Sequence, residues 1–67
     1  MSTIGEEIRK ARQEAGLTQE QLGFEAGISR QYVSLLELEQ KSPTLDVLLR
    51  LCKAMGVSAG TIVKRVE

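Results

Sequence analysis

Three polar side chains within five residues, Arg30, Gln31 and Ser34, have the chemistry to read the edges of DNA bases. Arginine forms paired hydrogen bonds with guanine, glutamine does so with adenine, and serine can bond to several bases. All three fall opposite Val33 and Leu36, whose spacing of three is typical of the buried side of a helix. The pattern predicts a helix whose polar side enters the major groove of DNA.

The segment 17–38 supplies the elements that would position this helix. Thr18 and Gln21 have the spacing of a capping box, which predicts a helix beginning next to Thr18. Gly27 can adopt the positive φ of a sharp turn, and Ser29 can cap a second helix. Two short helices joined by a tight turn constitute a helix-turn-helix motif.

Three further helices are predicted around this motif. The first runs from about Thr3 to Ala15, and it begins with a capping box formed by Thr3 and Glu6. The fourth begins at Pro43 and Thr44 and ends at Met55, and a short fifth helix covers about Ala59 to Val63. No strand-like alternation occurs, so we expect an all-α fold of five helices.

Length and composition limit the possible classes of protein. Sixty-seven residues, 42% of them hydrophobic, predict a single small globular domain (residues 1–67) with a thin core and no separate ligand-sensing domain. Nine basic and nine acidic residues give zero net charge, which counts against strong non-specific binding to nucleic acid. Because the placement of charge matters more than its sum, we expect weak DNA binding by a monomer and useful binding by a dimer.

Several other functions are disfavoured. The chain has one cysteine and no histidine, which argues against a zinc site and an internal disulfide. Cys52 shares a helical stripe with Leu48 and Met55, so it is expected to be a small buried hydrophobe. No phosphate-binding loop, paired carboxylates or nucleophile–base pair is evident, so we expect no enzyme activity, cofactor or small-molecule ligand. No apolar stretch could span a membrane and no signal peptide is recognisable, which predicts a cytoplasmic protein.

Three segments in this order resemble the phage-lambda-repressor and Cro-like helix-turn-helix regulators, often called the Xre family. They are IGEEIRKARQEAGLTQEQL, AGISRQYVSLLE and SPTLDVLLRLCKAMGV, and the resemblance extends from Ile4 to Val57. It implies a lambda-repressor-like DNA-binding domain, with the helix-turn-helix at helices two and three, whose partner is double-stranded DNA.

The resemblance also implies roles for individual residues. The positions that face bases are Arg30, Gln31, Ser34 and Leu35; those that contact the DNA backbone are Gln19, Tyr32 and Lys41; and Arg12 and Glu37 form a structural ion pair. The family often has glycine followed by a basic residue after helix three, where this chain has Glu39 and Gln40. We therefore expect a different helix end and a negative charge close to DNA phosphate.

The end of the chain carries more apolar residues than a short fifth helix can bury alone. Val47, Ile62, Val63 and Val66 are predicted to form a dimer interface, although a generous core around the fifth helix would explain them too. The favoured function is a sequence-specific transcriptional regulator that binds a two-fold operator as a homodimer. The alternative is a protein-interaction module, antitoxin-like or transcription-factor-binding, with weak or no DNA binding.

Overall fold

Five α-helices joined by short turns make up the chain in a computed structural model, which describes residues 2–66. They are α1 (Ile4–Glu14), α2 (Gln19–Ala26), α3 (Arg30–Glu37), α4 (Leu45–Met55) and α5 (Ala59–Val66). No strand occurs within this range, so the prediction of an all-α fold is confirmed. None of the described helices is long and apolar enough to cross a membrane.

Both predicted capping boxes are present. The Thr3 side chain accepts a hydrogen bond from the Glu6 amide at 3.2 Å, and the Glu6 carboxylate accepts one from the Thr3 amide at 2.8 Å. The latter bond lowers the pKa of Glu6 below its usual value. Thr18 and Gln21 make the same reciprocal pair at 3.1 and 2.9 Å. Each box satisfies amides that have no partner inside the helix, which fixes where α1 and α2 begin.

Single side chains cap the remaining helices. Ser29 accepts from the Tyr32 amide at 3.0 Å, Thr44 caps α4, and Ser58 accepts from the Thr61 amide at 3.2 Å. The fifth helix is longer than predicted, since it continues to Val66 instead of ending near Val63. Tertiary contact accounts for the extra turn because Arg65 Nη1 lies 3.6 Å from the buried carboxylate of Glu7 on α1.

The core draws fully buried side chains from all five helices. These are Ile8, Leu22, Val33, Leu36, Leu51 and Ile62. Helix α2 packs against α3 and α4, and α1 packs against α3 and α5. The helix-turn-helix pair is therefore held by α1 on one side and by α4 on another, which leaves the outer face of α3 free.

Two residues of the predicted dimer interface belong to this core. Ile62 has no exposed surface and Val47 is only 7% exposed, so neither has appreciable area to offer a second chain. The prediction differs from the structure here because both side chains belong to the hydrophobic core of one chain, in which α5 packs against α1 and α4. Val63 is 45% exposed and Val66 is partly exposed, so these two remain available.

Candidate nucleic-acid interface

The turn between α2 and α3 depends on two glycines. Gly27 ends α2 in the left-handed region at φ 73°, which places Ser29 at the start of α3. Gly23 lets the backbone of α2 approach the turn closely, because a Cβ atom there would lie 2.8 Å from the Ile28 carbonyl oxygen and 3.2 Å from the Arg30 nitrogen. A larger residue at position 23 would therefore displace the beginning of α3.

Helix α3 brings the predicted base-reading residues onto one face. Arg30 and Gln31 are exposed, while Ser34 and Leu35 are half-buried. Arg30, Gln31 and Ser34 line an open groove together with Gln19 and Ser29. The groove combines hydrogen-bonding side chains from the first turns of two helices, a combination suited to a polar, anionic surface.

One buried carboxylate ties α3 to its neighbours. Arg12 donates from Nε and Nη2 to the two oxygens of Glu37, at 2.6 and 3.1 Å, so the predicted ion pair is present. Arg12 Nη1 also donates to the Leu17 carbonyl at 2.9 Å. Gln19 Nε2 donates to Glu37 Oε1 at 3.1 Å, so Gln19 also braces α3 against α2. The network fixes α3 relative to α1 and α2 in the free protein.

The other two predicted backbone-contact residues lie at the margins of α3. Tyr32 is half-buried and packs against the core, so only part of its ring is accessible. Lys41 is exposed in the loop after α3, and its amide donates to the Leu35 carbonyl at 3.3 Å. The anchored backbone leaves the Lys41 ammonium free to reach a nearby anion.

Two residues that sequence reasoning missed adjoin this surface. Arg9 and Leu38 line a second groove with Gln19 and Ser34, and Leu38 is 61% exposed. Arg9 precedes Arg12 by three positions, so both arginines lie on the same side of α1. This spacing was the available signal, and it adds a basic residue to the face that includes α3.

The end of α3 differs from the expectation for Glu39. Its φ of 64° is left-handed, the Glu39 amide donates to the Leu36 carbonyl at 3.2 Å, and the Gln40 amide donates to the Leu35 carbonyl at 2.9 Å. These bonds make a Schellman motif with glutamate in the position that glycine usually fills. The Glu39 carboxylate accepts a hydrogen bond from the Gly5 amide of α1, although the residue stays exposed.

Within residues 2–66, no group of three or more potential metal ligands occurs. Cys52 is buried, and burial raises the pKa of its thiol.

Comparison with known proteins yields the following matches. The family model described as "Helix-turn-helix" matches residues 8–62. An uncharacterized HTH-type transcriptional regulator, y4dJ, of Sinorhizobium fredii is 42% identical over 55 residues, which are 82% of this chain and 71% of that protein. The immunity repressor protein of Bacillus phage phi105 is 36% identical over 61 residues, which are 91% of this chain but only 42% of the repressor.

Solved structures show the same fold. The DNA-binding domain of the P22 c2 repressor superposes with a TM-score of 0.91 at 32% identity, over 94% of this chain and 83% of that domain. The P22 c2 repressor in complex with a synthetic operator superposes with a TM-score of 0.85 at 31% identity, over 92% of this chain and 94% of the other. The lambda-repressor-like fold predicted from the sequence is confirmed.

Proposed function

We propose that this chain, which belongs to the helix-turn-helix family of transcriptional regulators, binds a specific DNA sequence through α3. The observation that carries the proposal is the contrast between the two sides of α3. On the inner side the Arg12–Glu37–Gln19 network fixes the helix, while on the outer side Arg30 and Gln31 are exposed. A rigid helix with free polar side chains is what base recognition requires.

Base contacts are assigned to the outer face of α3. Arg30 and Gln31 have the donors and acceptors for guanine and adenine, and Ser34 can bond to either. Leu35 offers an apolar surface suited to the methyl group of thymine. All four lie on the accessible side of the helix, opposite the buried Val33 and Leu36.

Backbone contacts are assigned to Gln19, Tyr32 and Lys41, with Arg9 as an addition. Gln19 uses its amide to donate to Glu37, and a second amide hydrogen remains for a phosphate. Arg9 and Lys41 supply positive charge near α3. Arg12 pairs with the Glu37 carboxylate, so this carboxylate offsets little of the positive charge on this face of a chain of zero net charge.

Homodimerisation on a two-fold operator is the second part of the proposal. Val63 on α5 is 45% exposed, and Leu45 and Leu49 on α4 are 71% and 50% exposed. With Val66 they provide apolar surface for a two-fold contact in which the same patch of each copy meets the other. Such a dimer would present two copies of α3 to successive major grooves about 34 Å apart.

A protein-interaction module is the second candidate, and one observation favours it. Phe24 on α2 is 86% exposed, and its ring borders a shallow depression with Leu17, Glu20 and Glu25. An aromatic side chain with that exposure is a common feature of protein-binding surfaces. Relatives named as a transcriptional regulator and a repressor support a non-enzymatic role for both candidates.

Selection from random duplexes tests the proposal. We expect the wild-type protein to enrich a two-fold sequence, and the Arg30→Ala and Gln31→Ala variants to lose that enrichment. Gln13→Ala, an exposed glutamine of α1 outside the grooves, is the matched control and should enrich the wild-type sequence. Failure of the wild type to enrich any sequence would favour the interaction module.

A further inference from the structure

The loop after α3 contains a side chain that joins the end of the recognition helix to the start of α1. We propose that Glu39 is a positioning residue, which holds Lys41 beside α3 so that its ammonium can contact the DNA backbone. The inference rests on the proposed function, since it assigns a role within the same surface. Three contacts of residues 39–41 carry it.

The backbone conformation of Glu39 determines where Lys41 lies. With Glu39 in the left-handed region, the chain turns back so that the amides of Gln40 and Lys41 both donate to the Leu35 carbonyl, at 2.9 and 3.3 Å. Leu35 belongs to the outer face of α3. The Lys41 backbone is therefore hydrogen-bonded directly to Leu35, a residue of the proposed base-reading face.

The side chain of Glu39 fixes that turn to α1. Its carboxylate accepts from the Gly5 amide, in the first helical turn, where amides lack partners and the helix dipole favours an anion. The approach requires glycine at position 5, because a Cβ atom there would lie 2.7 Å from the Glu37 carbonyl oxygen and closer still to the Glu39 carboxylate. The end of α3 and the start of α1 are thus joined by the bond between the Glu39 carboxylate and the Gly5 amide, and the contact leaves no room for a side chain at position 5.

Local backbone preference does not explain glutamate at this position. A left-handed residue at a helix end is most readily glycine, which has no Cβ to clash with the preceding carbonyl. Glycine would keep the turn but could not reach Gly5. The bond to Gly5 is therefore the contribution that glutamate adds, and it connects the Lys41 loop to the body of the domain.

Comparing Glu39→Gln with Glu39→Gly separates the effect of the bond to Gly5 from the effect of the negative charge. Both variants lose the negative charge, but only glutamine retains an oxygen that can accept from Gly5. On the selected duplex we expect Glu39→Gln to bind at least as tightly as wild type, and Glu39→Gly to bind about fivefold more weakly than Glu39→Gln. If Glu39→Gly weakened binding only by disturbing the fold, the loss of affinity would not depend on Lys41. The two Glu39 variants are therefore also compared in proteins that carry Lys41→Ala.

In the Lys41→Ala background we expect the two Glu39 variants to differ by less than about twofold. If Glu39→Gln and Glu39→Gly bind with equal affinity when Lys41 is intact, the inference is overturned. A difference of full size that persists without Lys41 would also overturn it, because Glu39 would then act through another group. If Lys41→Ala alone leaves the affinity for DNA unchanged, the proposed contact of Lys41 with the DNA backbone is contradicted.

Hydrogen exchange of the Gly5 amide tests the contact without DNA. We expect slow exchange in wild type and Glu39→Gln, and exchange about tenfold faster or more in Glu39→Gly. Identical exchange in all three proteins would show that the contact does not form. A wild-type protein with this protection but no sequence preference would instead contradict the proposed function, and with it the DNA-binding part of the inference.

Discussion

Arg12 and Glu37 meet in a two-point contact between α1 and α3, with Nε 2.6 Å from Oε2 and Nη2 3.1 Å from Oε1. Their side chains are 12% and 3% exposed, so the pair is nearly removed from water. Gln19 donates to the same Oε1 atom. A single carboxylate therefore couples α3 to the two preceding helices, and the orientation of the recognition helix depends on it.

We expect Arg12→Met or Glu37→Leu alone to destabilise the fold by about 3–5 kcal/mol, because each leaves an unpaired charge in the interior. The double variant should recover much of that loss, since it replaces two charges with apolar groups. Urea unfolding of all four proteins gives the double-mutant cycle. Small and additive changes would mean that the pair does not behave as a buried unit.

The parts of the fold that local sequence determines were predictable. Thr3 with Glu6 and Thr18 with Gln21 mark helix starts through spacing alone, and Gly27 marks the turn. These signals involve residues within a few positions of one another, so they are visible without a structure. The start of the recognition helix could therefore be identified.

The parts that depend on long-range packing were not predictable in the same way. Ile62 is buried because α5 folds onto α1 and α4, which its own sequence does not reveal. Glu39 contacts Gly5 from 34 positions away, so the sequence predicted only a negative charge close to DNA phosphate and not this bond. In each case the partner lies on another helix, and only the tertiary arrangement identifies it.

If α3 reads bases, substitutions on its outer face should reduce the affinity for the selected duplex more than the affinity for random DNA. Arg30→Ala and Gln31→Ala should each cost about 1–3 kcal/mol on the selected duplex and much less on random duplex. Both side chains are exposed, so their truncation leaves no cavity, and thermal stability should change little. Fluorescence anisotropy with both duplexes measures the difference. Equal losses on the two would show that these residues do not read bases.

Dimerisation through α5 predicts a change in mass. Val63→Lys should shift the protein to monomer, because it places a charge in the apolar contact. Thr61→Lys is the matched control, since Thr61 is exposed on the same helix and, two positions before Val63, lies on another side of it. Analytical ultracentrifugation should show a dimer for wild type and the control. If the wild-type protein is a monomer at tens of micromolar, a preformed dimer is contradicted. This corresponds to a dimerisation free energy weaker than about −6 kcal/mol.

Burial of Cys52 predicts an unreactive thiol. Its pKa is raised by burial, and the thiolate is the nucleophilic form, so the reactive fraction near neutral pH is smaller than in an exposed cysteine. We expect the native protein to react with an aromatic disulfide reagent at least about tenfold more slowly than the urea-unfolded protein. The rate of absorbance change measures this. Similar rates in both states would mean that the thiol is accessible in the native fold.

The affinity of the wild-type protein for the selected and for random duplexes, measured across a salt series, tests the central proposal most directly. Sequence-specific recognition predicts that the selected duplex is bound tighter by a factor on the order of 10³ at moderate salt. Both affinities should fall as salt rises, because phosphate contacts release counterions. Equal affinities for the two duplexes at every salt concentration would contradict sequence-specific recognition by α3.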